Sequence, residues 1–267
     1  LLTVMANVAA IRIEHARLNE IEATEKAMAK EMEQAAQIQQ RLFPDKAPQA
    51  EGVDIAARAV PARHCGGDYY DFIKFPDGKI AMMVGDVAGK GMPASLLMSS
   101  LQARVHVLFD SSEELGEKIG KLNKATCGNC PDNRFITFFM GILDPATGEI
   151  TYTSAGHNPP VLVRAKGGYE LLTGGSVMLG ILPMARYEAQ TIKLEKGDVL
   201  VMFSDGVTEA PNPNDEEYGE ERLANLVAEL SARPAREIVN AIHKSVNDYA
   251  EGAPPADDIT VVVCRMI

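Results

Sequence analysis

The sequence predicts an α+β protein whose body is an antiparallel sandwich, carried behind one long N-terminal helix. Three observations lead there. Residues 3–43 contain no glycine and no proline and are rich in good helix formers. From residue 53 onward apolar strand patterns recur, and two pairs of them are joined by the turn sequences Pro76-Asp-Gly78 and Asp144-Pro-Ala-Thr-Gly148, which make hairpins. Helical patterns come in two groups, 92–126 and 219–250, instead of following every strand, which argues against a doubly wound parallel sheet.

Composition narrows the function classes. The chain has 267 residues and is 46% hydrophobic, enough for a sizeable core. A formal charge of −11 argues against nucleic acid and anionic membrane as main partners. No apolar run approaches the ~18 residues of a membrane span. The start, Leu1-Leu2-Thr3-Val4, lacks a basic region and does not read as a secretory signal. It is not a methionine, so the chain reads as a fragment of a longer protein. Four cysteines do not make a disulfide framework in a chain this long. Cys127-Gly-Asn-Cys130 is a lone pair of thiols and is read as incidental. Free thiols fit a cytoplasmic setting.

The first element is a helix over 1–43. Val4, Val8, Ile11, His15 and Leu18 alternate by four and three, and the stripe continues through Ile21, Met28, Met32, Ala35 and Leu42. Glu25 and Gln39 interrupt it, so the heptad seam is imperfect. A stripe this narrow on a helix of roughly 60 Å needs a partner. A parallel coiled-coil homodimer through residues 3–43 is the favoured reading; the alternative is a helix lying on its own domain. Phe43-Pro44 stops it, 44–52 is a linker, and 53–267 is the second domain. Strand patterns cover 53–61, 69–75, 79–85, 134–144, 149–155, 160–165, 169–172, 189–194, 198–204 and 259–265. Helical patterns cover 92–110, 112–126, 219–231 and 234–250.

Four acidic positions stand at strand ends. Asp68 precedes the strand from Tyr69, and Asp86 follows the apolar run Ile80 to Val84. Asp205 follows Val199 to Phe203, and Asp257-Asp258 precede the strand from Ile259. In an antiparallel sheet the start of one strand lies beside the end of its neighbour, so this alternation can bring all four to one rim. Crowded carboxylates repel one another unless cations neutralise them. Oxygen donors without imidazole suit Mg²⁺ or Mn²⁺ better than Zn²⁺. Two such ions can activate a water and stabilise charge on a phosphoryl group. The plainer reading of any one aspartate beside a glycine is a turn residue. Gly89-Lys90-Gly91 is not a phosphate-binding loop of the Walker type. Val84 and Gly91 stand where that motif needs Gly and Ser or Thr.

Six stretches carry a resemblance: Gln39-Gln-Arg-Leu-Phe-Pro44, Gly66-Gly-Asp-Tyr-Tyr-Asp71, Gly85-Asp-Val-Ala-Gly-Lys-Gly-Met-Pro-Ala94, Ser154-Ala-Gly-His-Asn-Pro-Pro160, Phe203-Ser-Asp-Gly-Val-Thr-Glu-Ala210 and Asp257-Asp-Ile-Thr260. In this order they resemble the metal-dependent PPM-type serine/threonine phosphatases, in their bacterial SpoIIE/RsbU branch. The resemblance implies an α-β-β-α sandwich with two Mn²⁺ or Mg²⁺ ions at one edge. Asp86 would bridge them, and the backbone carbonyl of Val87 would complete one shell. Asp68, Asp205 and Asp257 would serve the second ion or its waters, with Asp258 in support behind them.

The resemblance also implies a phosphoserine or phosphothreonine substrate, for this branch a phosphorylated STAS-domain anti-anti-sigma factor. Ala88 stands where eukaryotic relatives carry a histidine, so that group's role is absent or filled elsewhere. Arg63 has the offset from Asp68 of those relatives' phosphate-binding arginine; the alternative is a solvated loop arginine. His157 and Asn158 read first as turn structure, with an active-site role as the alternative. Residues 1–20 are similar to the last helix of a GAF sensory domain. A rival reading keeps the fold and drops the chemistry, as a degenerate phosphatase domain used as a dimeric signalling scaffold.

Overall fold

The computed structural model describes residues 2–109, 114–131 and 133–267. It divides into two compact units, Leu1–Gln40 and Arg41–Ile267. The first is the single helix α1 (Leu2–Gln40). Its residues 11–31 are exposed on every face, including Ile11, Leu18, Ile21 and Met28. The helix stops at Gln40, short of the expected end at Phe43-Pro44. Leu42 and Phe43 belong to the core of the second unit, where the Phe43 ring stacks on Tyr70 at 5.1 Å.

Among the described residues the second unit holds ten antiparallel strands in two sheets. One sheet joins β1 (Val53–Val60), β10 (Ile259–Met266), β9 (Val199–Phe203), β6 (Val161–Val163) and β7 (Tyr169–Leu171) in that order. The other joins β2 (Tyr69–Lys74), β3 (Ile80–Val87), β4 (Ile136–Leu143), β5 (Glu149–Ala155) and β8 (Gln190–Lys193). Both expected hairpin turns join neighbours, β2 to β3 and β4 to β5. Successive side chains of a strand point to opposite faces, and here both faces are covered. In β3, Met82 and Val84 lie between the sheets. Ala81 and Met83 lie against the helices α2 (Met92–Leu108) and α3 (Leu115–Cys127). In β10, Val262 and Cys264 face the other sheet. Val261 and Val263 face α5 (Glu220–Leu230) and α6 (Ala235–Tyr249). The result is the expected α+β layering of helices, sheet, sheet and helices.

Differences from the sequence reading sit at element ends. β3 runs two residues further than expected, so Asp86 pairs with Thr137 inside the sheet instead of following it. A one-turn helix, α4 (Asp205–Thr208), follows β9 where only a turn was expected. Residues 110, 112 and 113, read as helical, lie outside the described residues. All four cysteines are free thiols. Among the described residues no helix is long and apolar enough to cross a membrane.

Candidate metal centre at the sandwich rim

Each sheet delivers two carboxylates to one rim. Tyr69 pairs with Gly85, so Asp68 and Asp86 flank one register position of the β2–β3 pair. Phe203 and Val261 pair likewise, so Asp205 at the start of α4 and Asp257 before β10 meet at the end of β9–β10. The strand-polarity argument therefore holds within each sheet. Stacking the two sheets then sets both edges at one rim.

Hydrogen bonds stitch the two edges together. Ser204 Oγ donates to Asp68 Oδ2 at 2.7 Å and accepts from the backbone N–H of Thr260 at 2.9 Å. The carboxylate of Asp258 accepts from the backbone N–H of Ala62 at 2.8 Å and of Gly67 at 2.7 Å. Asp258 thus clamps the loop that carries Asp68. A Cβ on Gly66 would stand 2.3 Å from Asp258 Oδ2, so glycine there is what lets the clamp close.

The carboxylates strain against one another. Burial, then the charges of Asp205, Asp257 and Asp258, push Asp86 up to about 7. Burial, then Asp257 and Glu209, push Asp205 up to about 6. Asp68 is raised by burial and then by Asp86 and Asp258. Lys90 Nζ lies 2.8 Å from Asp257 Oδ2 and donates to the carbonyl of Ala256 at 2.5 Å. It rises from a turn whose glycines, Gly89 and Gly91, have φ of 97° and 75°.

The donors fit a hard divalent cation. Asp68 Oδ1 is buried without a hydrogen bond of good geometry. The Thr260 hydroxyl, itself without one, favours the charged carboxylate less than burial and the charges of Asp86 and Asp258 oppose it, an arrangement that costs free energy unless something charged meets it. A Cβ on Gly67 would stand 2.8 Å from the Val87 carbonyl oxygen and 3.4 Å from Asp86 Oδ1. The missing side chain therefore keeps open the space beside both expected ligands. Among the described residues no three acidic, histidine or cysteine side chains form a ready-made cage for one ion. Mg²⁺ does not require one, since it keeps several waters and takes only one or two carboxylates.

The remaining candidates separate cleanly. Arg63 is exposed, with its guanidinium about 4.0 Å from where a Cβ on Gly91 would stand, so it lies over the same turn as Lys90. His157 is buried and structural. Its Nε2 donates to the Phe203 carbonyl at 3.1 Å, and its Nδ1 accepts from Thr137 Oγ1 at 2.8 Å. It ties the end of β9 to the β4 residue paired with Asp86. Four contacts escaped the sequence reading. Arg134 Nη1 donates to the Ala88 carbonyl at 2.6 Å and packs on Gly89. Lys90 pairs with Asp257, and Asp71 receives Tyr69 Oη at 2.8 Å and His106 Nε2 at 2.7 Å. Apart from Tyr69–Asp71, two residues apart, these contacts join residues distant in sequence; Asp71, Ala88, Lys90 and Asp257 stood in the quoted motifs, whereas Arg134 and His106 carried no signal.

The fold and the rim together define a PP2C-type phosphatase domain. The SiaA-PP2C domain of Pseudomonas aeruginosa matches 92% of this chain over 99% of its own length, with a TM-score of 0.81 at 20% identity, a likeness of fold. The chain belongs to the SpoIIE family: the family model described as stage II sporulation protein E matches residues 76–267. It is 36% identical to phosphoserine phosphatase RsbU of Bacillus subtilis (strain 168) over 237 residues, 88% of this chain and 70% of that protein. It is 27% identical to protein IcfG of Synechocystis sp., covering 87% of this chain but only 41% of IcfG.

Proposed function

We propose that the chain is a signalling phosphatase of the PPM class that hydrolyses phosphoserine or phosphothreonine on a protein. The observation that carries the reading is the rim itself. Asp68, Asp86, Asp205 and Asp257 converge from two sheets, the carboxyl pKa values of Asp68, Asp86 and Asp205 are raised, and the buried Asp68 Oδ1 makes no hydrogen bond of good geometry. Asp86, with the Val87 carbonyl, would hold one divalent ion. Asp68, Asp205 and Asp257 would hold a second ion or its waters. When bound, two Mn²⁺ or Mg²⁺ ions supply a water of lowered pKa and offset the charge on the phosphoryl group.

The chain's own residues do the rest. Asp258 fixes the Ala62–Asp68 loop, and Ser204 orients Asp68. The Gly89–Lys90–Gly91 turn sets the Val87 carbonyl and carries Lys90 to the phosphate side of the rim. Arg63, over that turn, is placed to hold a phosphate oxygen. With alanine at 88 no histidine acid is available at that position, so the departing serine oxygen takes its proton from solvent or from a neighbouring carboxylic acid. The similarity to a phosphoserine phosphatase supports a phosphoserine substrate, here a phosphorylated STAS-domain protein. We further propose that residues 1–20 are the last helix of a GAF-type sensor and that residues 3–43 pair two copies of a cytoplasmic protein. Residues 44–52 would link that helix to the phosphatase domain. The exposed Ile11, Leu18, Ile21 and Met28 support that pairing.

The test is hydrolysis of p-nitrophenyl phosphate with Mn²⁺, with and without chelator, in wild type and Asp205→Asn. Turnover should need the metal and fall by at least about 100-fold in the variant, the scale of a lost electrostatic stabiliser. Activity that survives both chelator and mutation would refute the assignment.

A further inference from the structure

Beside the rim lies a cleft of about 490 Å³ that the hydrolysis of a phosphate does not itself require. One end is the carboxylate rim, where Lys90, Gly206 and Asp257 form its wall. From there it runs between α6 and the segment 253–257. Its apolar surfaces are Val60, Val246, Ala250 and the Pro254-Pro255 pair, and Asn240 and Asn247 stand on its helical side.

We infer that this cleft binds the polypeptide segment flanking the phosphorylated residue of a protein substrate, in extended form. The inference deepens the proposed phosphatase function and rests on it. Three features argue for a peptide instead of a small ligand or a second copy of the chain. The first is continuity: the cleft opens directly onto the residues that would act on the phosphate, so a segment lying in it is covalently next to the reaction. The second is spacing. Asn240 and Asn247 are seven residues apart on one helix face, ~10.5 Å along the axis. Three residues of extended chain, at ~3.3 Å each, span that distance. Each exposed amide has both a donor and an acceptor, the pair of functions that a main chain presents. The third is charge. Lys90 is paired with Asp257 and Lys244 with Asp248, whereas Arg58, which also lines the cleft, makes no ion pair among the described residues. A carboxylate on the bound segment would complement it. The wall is braced where it meets the rim, since Lys90 holds the Ala256 carbonyl.

The probes are p-nitrophenyl phosphate, a phosphoserine tripeptide, and a longer phosphoserine peptide with an acidic residue among its flanks. Wild type should show kcat/KM about tenfold higher for the long peptide than for the tripeptide, a gain residing in KM. Ala253→Trp fills the cleft from an exposed position and should abolish the gain. Asn240→Ala combined with Asn247→Ala should reduce it without a bulky insertion, and that pair guards against misfolding by the tryptophan. No length gain in wild type, or a gain that survives both variants, would overturn the inference while leaving the phosphatase reading intact. A change confined to oligomeric state in Ala253→Trp would assign the cleft to a second copy and also overturn it. No hydrolysis of any probe with Mn²⁺ would overturn the phosphatase reading and this one with it.

Discussion

Asp258 shows how a carboxylate beside a proposed ligand, Asp257, can matter through the backbone it holds. It gathers two backbone N–H groups of the loop leading into Asp68, and it is 7% exposed. Asp258→Ala leaves the buried Gly67 N–H without an acceptor, at about 1–3 kcal/mol, and the part-buried Ala62 N–H as well, at less. Urea denaturation should show a loss of ~2 kcal/mol, with Asp258→Asn costing less because it keeps one acceptor oxygen. His157 supports a pH prediction. Burial lowers it from 6.5 to about 4, so the folded protein favours the neutral ring. The stability this contributes is full above pH 6.5 and is lost as the pH falls through about 4. The residue accounts for up to about 3 kcal/mol over that interval. His157→Gln should lack that part of the acid slope in chemical denaturation, while the aspartates, common to both proteins, cancel in the comparison. Equal slopes would contradict the buried, neutral assignment.

Among the elements, the Gly89–Gly91 turn sets the geometry at the end of β3. Gly89 has φ of 97°, and a Cβ there would stand 2.0 Å from Arg134 Nη1. Gly89→Ala must both strain the backbone, by about 1–2 kcal/mol, and push Arg134 off the Ala88 carbonyl. The expected outcome is about tenfold weaker Mn²⁺ affinity in a calorimetric titration, with the fold retained by circular dichroism. All ten strands were legible in the sequence because their apolar runs are bounded by turn residues. Their ends were less so. β3 continues through Gly85-Asp86 because its partner β4 supplies hydrogen bonds that far, a tertiary fact. α4 was invisible because Asp205-Gly-Val-Thr208 has no helical period over a single turn. The aspartates themselves were readable from strand polarity. Lys90–Asp257, Ser204–Asp68 and Arg134–Ala88 were not, because they join segments 46 to 167 residues apart in the chain; the first two follow only from stacking the two sheets, and the third from the pairing of β3 with β4.

At the scale of the whole molecule, the separation into Leu1–Gln40 and Arg41–Ile267 gives a direct prediction. The fragment 41–267 contains all three buried clusters. It should fold alone with a melting midpoint within a few degrees of the full chain, and sediment as a monomer. The full chain should sediment as a dimer, and Leu18→Glu should shift it toward monomer by placing a charge in the seam. A monomeric full chain would remove the coiled-coil proposal and leave the phosphatase domain as it stands. The account as a whole turns on the rim, where four aspartates from two sheets repel one another and the buried Asp68 Oδ1 makes no hydrogen bond of good geometry. The most direct measurement is a calorimetric titration of the chelator-stripped protein with Mn²⁺, beside Asp86→Asn. The account predicts about two ions bound by wild type, as expected for two-ion phosphoryl chemistry, and loss of at least one of them in the variant. No binding, or binding that Asp86→Asn leaves unchanged, would contradict it.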